Sequence, residues 1–366
     1  MKVIKKGLLN TNSRSTLVII PILLTVFGLF FIFEASSVYS FTYYGDSFYF
    51  LKLQLIWFLF SFLIMFFLSR FNYRHFYYLA FYIMILTILL LMVVLIPGIG
   101  HQVKGARRWI DFGFFNFQPT ELAKLAVIIY LSAWFSYKER KRFFSFITLL
   151  GFLTFLIILQ PDMGTALIIF LISISIYIIS DNPLWPLIIF FPLAILIFYF
   201  FIQVSPYRLA RLQAYLNPES DPLGIGYHIN QILVSLKNGG FFGVGFAGSR
   251  QKYLFLPEAH TDSIFAIIAE DFGFIGGLIL IIAYLYFLYK VFALINLTPD
   301  RFAKLLISGI FFLFNFQILI NLAGIVNLIP LTGISLPFIS YGGSNLLISY
   351  ALLGILINIA KKIKKL

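Results

Sequence analysis

Apolar runs of about 18 residues or more recur along this chain between residues 16 and 361, and that feature leaves few folds open. A run of this length crosses the hydrocarbon core of a bilayer as a helix, which satisfies its own backbone where no water can. The composition agrees. Of the residues, 61% are hydrophobic, 46 are Phe and 11% are charged, more apolar than a soluble core requires. The chain reads as an all-α polytopic membrane protein with one membrane domain, 16–366, behind a short tail, 1–15. The absence of Cys excludes structural disulfides and thiolate metal sites. The first run has full span length and flanks that suit an anchor rather than a cleaved leader.

Ten spans are expected, near 16–35, 50–68, 77–97, 120–136, 144–160, 163–180, 186–204, 263–290, 302–329 and 344–361. Lys and Arg orient them. With the N-terminus inside, the inner segments hold Lys2, Lys5, Lys6 and Arg14, then Arg70 and Arg74, then Lys138 to Arg142, then Lys290, Arg301 and Lys304, and last the "KKIKKL" end. Both termini then fall in the cytoplasm, and the net charge of +13 is mostly positive-inside topology, with no nucleic-acid partner needed. Apart from Lys52 and Lys124 at span edges, the remaining cations gather outside in two places: Lys104, Arg107 and Arg108 in the connection before the fourth span, and Arg208, Arg211, Lys237, Arg250 and Lys252 in a large extracytoplasmic loop, 205–262, between spans 7 and 8. They form either a solvated surface or an anion site at the depth of lipid phosphate. Within that loop, Ile229, Ile232, Leu233 and Leu236 predict a short amphipathic helix on the membrane surface, and the run "NGGFFGVGFAGS" lets a backbone turn tightly or approach a ligand.

Four polar clusters fall on the same outer side. In "FQPTELAKLA", Pro119 opens a helix, Thr120 is a candidate cap, and Glu121 and Lys124 share a face at a spacing that allows an ion pair. Trp109 before it is an interfacial anchor or a platform for a sugar ring. In "QPDMGT", Asp162 is placed to cap the next span. In "LPEAHTDSIFAIIAEDFG", Asp262 opens a span beside Glu258 and His260. It is either a cap or a partly desolvated carboxylate whose raised pKa suits a general base. Glu270 lies about 12 Å deeper on nearly the same face, functional or paired with a group such as Lys124, and Gly273 and Gly277 suggest close helix packing. The last, "LTGISLPFISYGGSN", is an irregular stretch of the kind that lines a cavity.

Taken together, "GARRWIDFG…FQPTELAKLA", "QPDMGTA", "DPLGIGYHINQ", "LPEAHTDSIFAIIAEDFGFIG" and "TGISLPFISYGGSN" resemble the SEDS family, the shape, elongation, division and sporulation proteins (FtsW/RodA/SpoVE), over nearly the whole chain. "GARRW" and "QKYLFLPEAHTD" are closer to the division and sporulation branches than to the elongation branch. Ser263 stands where the family usually has an aromatic residue, and Asn345 where it usually has Ser or Thr.

The resemblance implies a peptidoglycan glycosyltransferase that polymerises lipid II outside the bacterial cytoplasmic membrane, with Asp262 as catalytic base. An inverting displacement would need that one base to activate a sugar hydroxyl, while cations meet the departing undecaprenyl pyrophosphate. Arg107, Arg108, Lys124, Arg250 and Lys252 are the candidate cations, and Trp109, Asp162, Glu258, His260, Ser340 and Tyr341 complete the candidate substrate-binding set. No cofactor is required by the sequence; a divalent cation, Mg2+ or Mn2+, near Asp262 would serve the pyrophosphate. The implied partners are lipid II, the lipid-linked glycan strand, membrane lipid, a class B penicillin-binding protein acting as transpeptidase, and other divisome or elongasome membrane proteins. A lipid II flippase and a noncatalytic scaffold for the transpeptidase are the competing readings. Polarity gathered on one side, rather than spread across the midplane, favours chemistry at a surface.

Overall fold

The computed structural model describes residues 11–103, 106–113, 115–137, 142–218, 224 and 226–363. Lys104, a predicted outer cation, and Lys138, Arg140 and Lys141, predicted inner ones, lie outside the described residues.

Twelve helices are present among the described residues: α1 (Thr11–Tyr44), α2 (Tyr49–Arg70), α3 (Arg74–Val93), α4 (Pro119–Ser136), α5 (Phe143–Leu159), α6 (Met163–Ile179), α7 (Trp185–Val204), α8 (Pro206–Leu216), α9 (Gly226–Gly239), α10 (Ile264–Leu297), α11 (Arg301–Ile325) and α12 (Gly343–Ile363). Seven of them, α1, α2, α3, α7, α10, α11 and α12, are long and apolar enough to cross a membrane. Of the other three predicted spans, α5 and α6 are apolar helices of 17 residues, and α4 has 18 residues that include Glu121 and Lys124.

The packing follows from where side chains are small. Gly354 lets α12 press against α2, since a Cβ there would lie 2.7 Å from the Met65 carbonyl oxygen. Gly309 does the same for α11, whose neighbours at that point are Ile128 of α4 and Ile176 of α6. The centre is therefore α4, α6, α10, α11 and α12, with α4 buried along most of its length. By contrast α7 stands at the edge, with almost every residue facing outward, as an apolar helix can when its solvent is lipid.

Two departures from the expected all-helical chain concern the connections. The segment before α4 is a small antiparallel sheet, β1 (Gly100–Val103), β2 (Ala106–Asp111) and β3 (Asn116–Phe117), in that spatial order. Its strands are too short to show a period in sequence, and pairing them satisfies backbone groups beside the membrane. The long 205–262 segment is largely structured. It holds α8 and α9, the latter with Ile229 and Ile232 buried as its spacing predicts.

Candidate active site

At one end of the bundle α4, α6, α10 and α12 begin, and the predicted polar clusters meet there. Asp162 caps α6: its Oδ1 accepts from the Thr165 amide at 3.2 Å and its Oδ2 from the Thr165 hydroxyl at 2.9 Å. The same Oδ2 accepts from Gln118 Nε2 at 3.2 Å and Thr120 Oγ1 at 3.5 Å, so one carboxylate ties the start of α4 to the start of α6. Thr120 thus serves Asp162 rather than capping its own helix. Arg108 of β2 donates to the carbonyls of Gln160, at 3.0 Å, and Pro161, which places a guanidinium on the turn just before Asp162. Lys124 and Glu121 form the predicted pair, with Nζ 2.8 Å from Oε1 and 2.7 Å from Oε2, inside the protein.

Asp262 closes the turn-rich segment that precedes α10 and is half-buried. It does not cap the helix: Ser263 occupies the cap position, with no side-chain bond to the helix. Instead its backbone is pinned, since Asn321 Nδ2 of α11 donates to the carbonyls of Asp262 and Ile334, each at 2.8 Å. Burial, and then the charge of Glu258, raise the Asp262 carboxyl to a pKa of about 6, against the opposing charge of Arg211. Ser263 is buried against α9, its hydroxyl 2.8 Å from His228 Nε2, which gives this unusual residue a polar partner.

The irregular stretch 331–342 joins the two acids. A Cβ on Gly333 would lie 3.7 Å from Asp262 Oδ2, and one on Gly164, two residues after Asp162, would lie 2.9 Å from the Thr332 carbonyl oxygen. Arg211 of α8 donates to the Leu331 carbonyl at 3.2 Å. Farther along, the Tyr341 amide donates to the His260 carbonyl at 2.9 Å, and the His260 ring sits 4.4 Å from that of Phe50 and 5.6 Å from that of Tyr341. Ser340 Oγ accepts from the Leu336 amide at 2.9 Å, closing a turn. Gln54 of α2 spans the stretch, donating to the Ser340 carbonyl at 3.4 Å and accepting from the Gly342 amide at 3.2 Å. Ser340, Tyr341 and His260 therefore brace one another. At Asn345, the other unusual residue, the side-chain amide donates to Ser335 Oγ.

The candidate cations divide. Arg211 acts on Asp262, Arg108 is held on the turn before Asp162, and Arg208 of α8 lies beside Arg108, donating to the Phe201 and Ile158 carbonyls at 3.0 and 3.1 Å. Arg107 and Trp109 are half-buried on β2, and Arg250 is exposed. Lys252 is buried on Glu34 of α1, at 2.8 Å, and Lys124 on Glu121. Arg208 and Arg211, read in sequence only as members of the outer cation group, enter the site, and Thr261 and Asn321 are the participants that sequence patterns passed over. The i, i+3 spacing of the two arginines in an amphipathic stretch was the available signal.

A multi-pass helical protein with two acids bridged by one irregular stretch, arginines nearby and a carboxylate of raised pKa at one helix end is built for polar chemistry beside a membrane. The chain belongs to the FtsW/RodA/SpoVE family of cell cycle proteins, whose profile matches residues 14–365. It is 36% identical over 359 residues to stage V sporulation protein E of Bacillus subtilis, covering 96% of this chain and 98% of that protein. It is likewise 36% identical over 370 residues to the probable peptidoglycan glycosyltransferase FtsW of Trichlorobacter lovleyi, covering 100% and 97%. Among solved structures it is similar to a chain of a peptidoglycan synthase complex that coordinates polymerization and crosslinking, with a TM-score of 0.78, 28% identity and coverage of 95% and 97%. The crystal structure of the Thermus thermophilus rod shape determining protein RodA aligns with a TM-score of 0.69, 26% identity and coverage of 94% and 96%.

Proposed function

We propose that this chain is a peptidoglycan glycosyltransferase that polymerises lipid II at the outer face of the bacterial cytoplasmic membrane. The observation that carries the reading is Asp262, a half-buried carboxyl with a pKa of about 6 that the backbone bond from Asn321 holds beside Arg211. A base of that strength is ionised at neutral pH yet still draws a proton from a sugar hydroxyl in the transition state. The acceptor oxygen then bonds to the donor's anomeric carbon as the bond from that carbon to the pyrophosphate oxygen breaks. The proton goes to Asp262 and the electron pair leaves with undecaprenyl pyrophosphate. Negative charge grows on the leaving group, and Arg108, Arg208 and Arg211 are the cations grouped about the two acids to meet it. Asp162 serves in this scheme as a fixed post between α4 and α6. A Mg2+ or Mn2+ ion, where used, would be held chiefly by substrate phosphate, since the described residues gather no cluster of three metal-ligating side chains.

The ten-span topology with both termini cytoplasmic puts these acids outside, where a lipid-linked donor and acceptor both present their sugars. Likeness to a chain of a synthase complex that couples polymerization to crosslinking supports a class B penicillin-binding protein as partner. The flippase reading loses ground because the deep acids Glu270 and Asp271 are engaged by the protein's own backbone. The test is reconstitution of purified protein, alone and with its transpeptidase, with labelled lipid II. Wild type should yield glycan strands and Asp262→Asn none. Strands from both Asp262→Asn and Asp262→Ala would remove the assigned base, and transbilayer movement of intact lipid II without polymer would replace the reading with the flippase.

A further inference from the structure

The acids Glu270 and Asp271 and the ion pair of Glu34 with Lys252 lie outside the chemistry just described, and all four side chains are buried. Gly273, at φ 65° and ψ −164°, breaks α10 about 14 Å along the helix from its start at Ile264. The break leaves two helical carbonyls, of Glu270 and Asp271, and two amides, of Phe274 and Ile275, without each other. The glycine-rich segment supplies all four replacements. The Val244 amide donates to the Glu270 carbonyl at 3.0 Å and the Gly245 amide to the Asp271 carbonyl at 3.1 Å, while Phe274 and Ile275 donate to the Gly240 and Phe241 carbonyls at 3.0 and 3.3 Å. The segment is spliced into the helix. Only glycine fits the seam: a Cβ on Gly243 would fall 2.1 Å from the Asp271 carbonyl oxygen, and one on Gly273 2.4 Å from the Gly243 amide nitrogen.

The carboxylates hold the next stretch. Asp271 accepts from the Ser249 amide at 2.7 Å and the Ala247 amide at 3.1 Å. Glu270 accepts from the Ser249 hydroxyl at 2.5 Å, from Asn238 Nδ2 at 3.1 Å and from the Arg250 amide at 3.4 Å. Lys252 then donates to the Ala247 carbonyl at 2.6 Å and to Glu34 Oε1 at 2.8 Å, which ties the segment to α1. The other Glu34 oxygen is buried without a hydrogen-bond partner and Asp271 is a neighbour of that carboxyl, so the Lys252 ammonium is the cation that offsets Glu34 beside a second acid. From Lys252 the chain runs directly to Asp262.

We infer that Glu34, Lys252, Glu270 and Asp271 are positioning residues that clamp residues 244–252 into the break of α10 and so set the place and burial of Asp262. The inference rests on the glycosyltransferase reading. Charged and titratable groups acting on Asp262 are Glu258 of its own segment and Arg211 of α8, with His228 of α9 one residue away on Ser263, while the His260 ring packs on Phe50 and Tyr341. None belongs to the clamp. Burial is the largest cause of the raised Asp262 pKa, so loosening the segment admits water and lowers it.

The test compares wild type, Lys252→Met, Glu34→Gln, the double variant E34Q/K252M and the charge swap E34K/K252E, full-length and in lipid nanodiscs. Lys252→Met should be worst, cutting the polymerisation rate at least about tenfold and moving the acid limb of the pH–rate profile down by about half a unit. E34Q/K252M and E34K/K252E should recover both in part. Hydrogen exchange across 244–262 should speed up in Lys252→Met while exchange in α11 and α12 stays unchanged, a readout that holds even if no variant, wild type included, makes polymer. A merely structural pair would lower the active fraction equally at every pH and leave the midpoint where it was. That result, or unchanged exchange across 244–262, overturns the inference; absence of polymer in wild type overturns the glycosyltransferase reading instead.

Discussion

Glu258 and Asp262 compete for one hydroxyl: Thr261 Oγ1 lies 2.8 Å from Glu258 Oε2 and 3.3 Å from Asp262 Oδ1. A single O–H donates to one acceptor at a time, and the shorter contact gives it to Glu258. Asp262 thus keeps lone pairs for a substrate proton, beside a carboxylate that strengthens it as a base.

A base must be unprotonated to act, so the polymerisation rate should rise with pH through about 6 and level above it. Glu258→Gln removes a charge that raises the Asp262 pKa and should move the midpoint down. Arg211→Ala removes one that lowers it and should move the midpoint up, each by about one unit. A pH–rate series at low lipid II reads both shifts. Midpoints that stay put in both variants would disprove the electrostatic assignment.

Asp262→Asn should cost the rate a factor of about 10²–10⁴ and leave the fold no less stable. The folded-state pKa lies above the ordinary 3.8, so the native protein binds this proton more tightly and loses stability as pH rises from about 4 to about 6. The amide has no proton to lose, so thermal melting of the variant should be flatter across that window and higher at pH 7.

Lys124→Met strands Glu121 inside the protein, where the pair has side-chain exposures of only 3% and 9%. Breaking such a pair should cost about 3–5 kcal/mol, and the double variant E121L/K124M should regain much of it. Thermal unfolding in detergent measures the difference. A single substitution without effect would mean that water reaches the site.

Phe242 is 79% exposed on the spliced segment, next to the half-exposed Phe241 and Phe246. The chain has no Cys, so Phe242→Cys carries the only thiol. A lipid-soluble maleimide should label it in vesicles and a charged thiol reagent should not. Equal labelling by both would put the segment in water.

The helices were legible because apolar run length maps onto span length, and the Glu121–Lys124 pair and the Asp162 cap because both are local. What stayed hidden is long-range. Lys252 counts as an outward cation in sequence, yet its partner is Glu34, 218 residues earlier. Glu270 has the wanted face to meet Lys124 but spends its oxygens on Ser249, Asn238 and Arg250. Gly273 and Gly277 share a packing signature and both admit a close neighbour, Gly277 the Phe265 ring and Gly273 the backbone of Phe241 and Gly243, but Gly273 also breaks the helix. A backbone conformation with positive φ leaves no trace in hydrophobic periodicity.

Surface connections usually absorb insertions and deletions with little harm. The stretch from Gly240 to Gly245 cannot, because its carbonyls and amides must match the spacing of one missing helical turn. One residue more or fewer would strand backbone groups where no water reaches them. Its length is thus dictated by a distant helix, and lineages free to lengthen the neighbouring turns should hold this one constant.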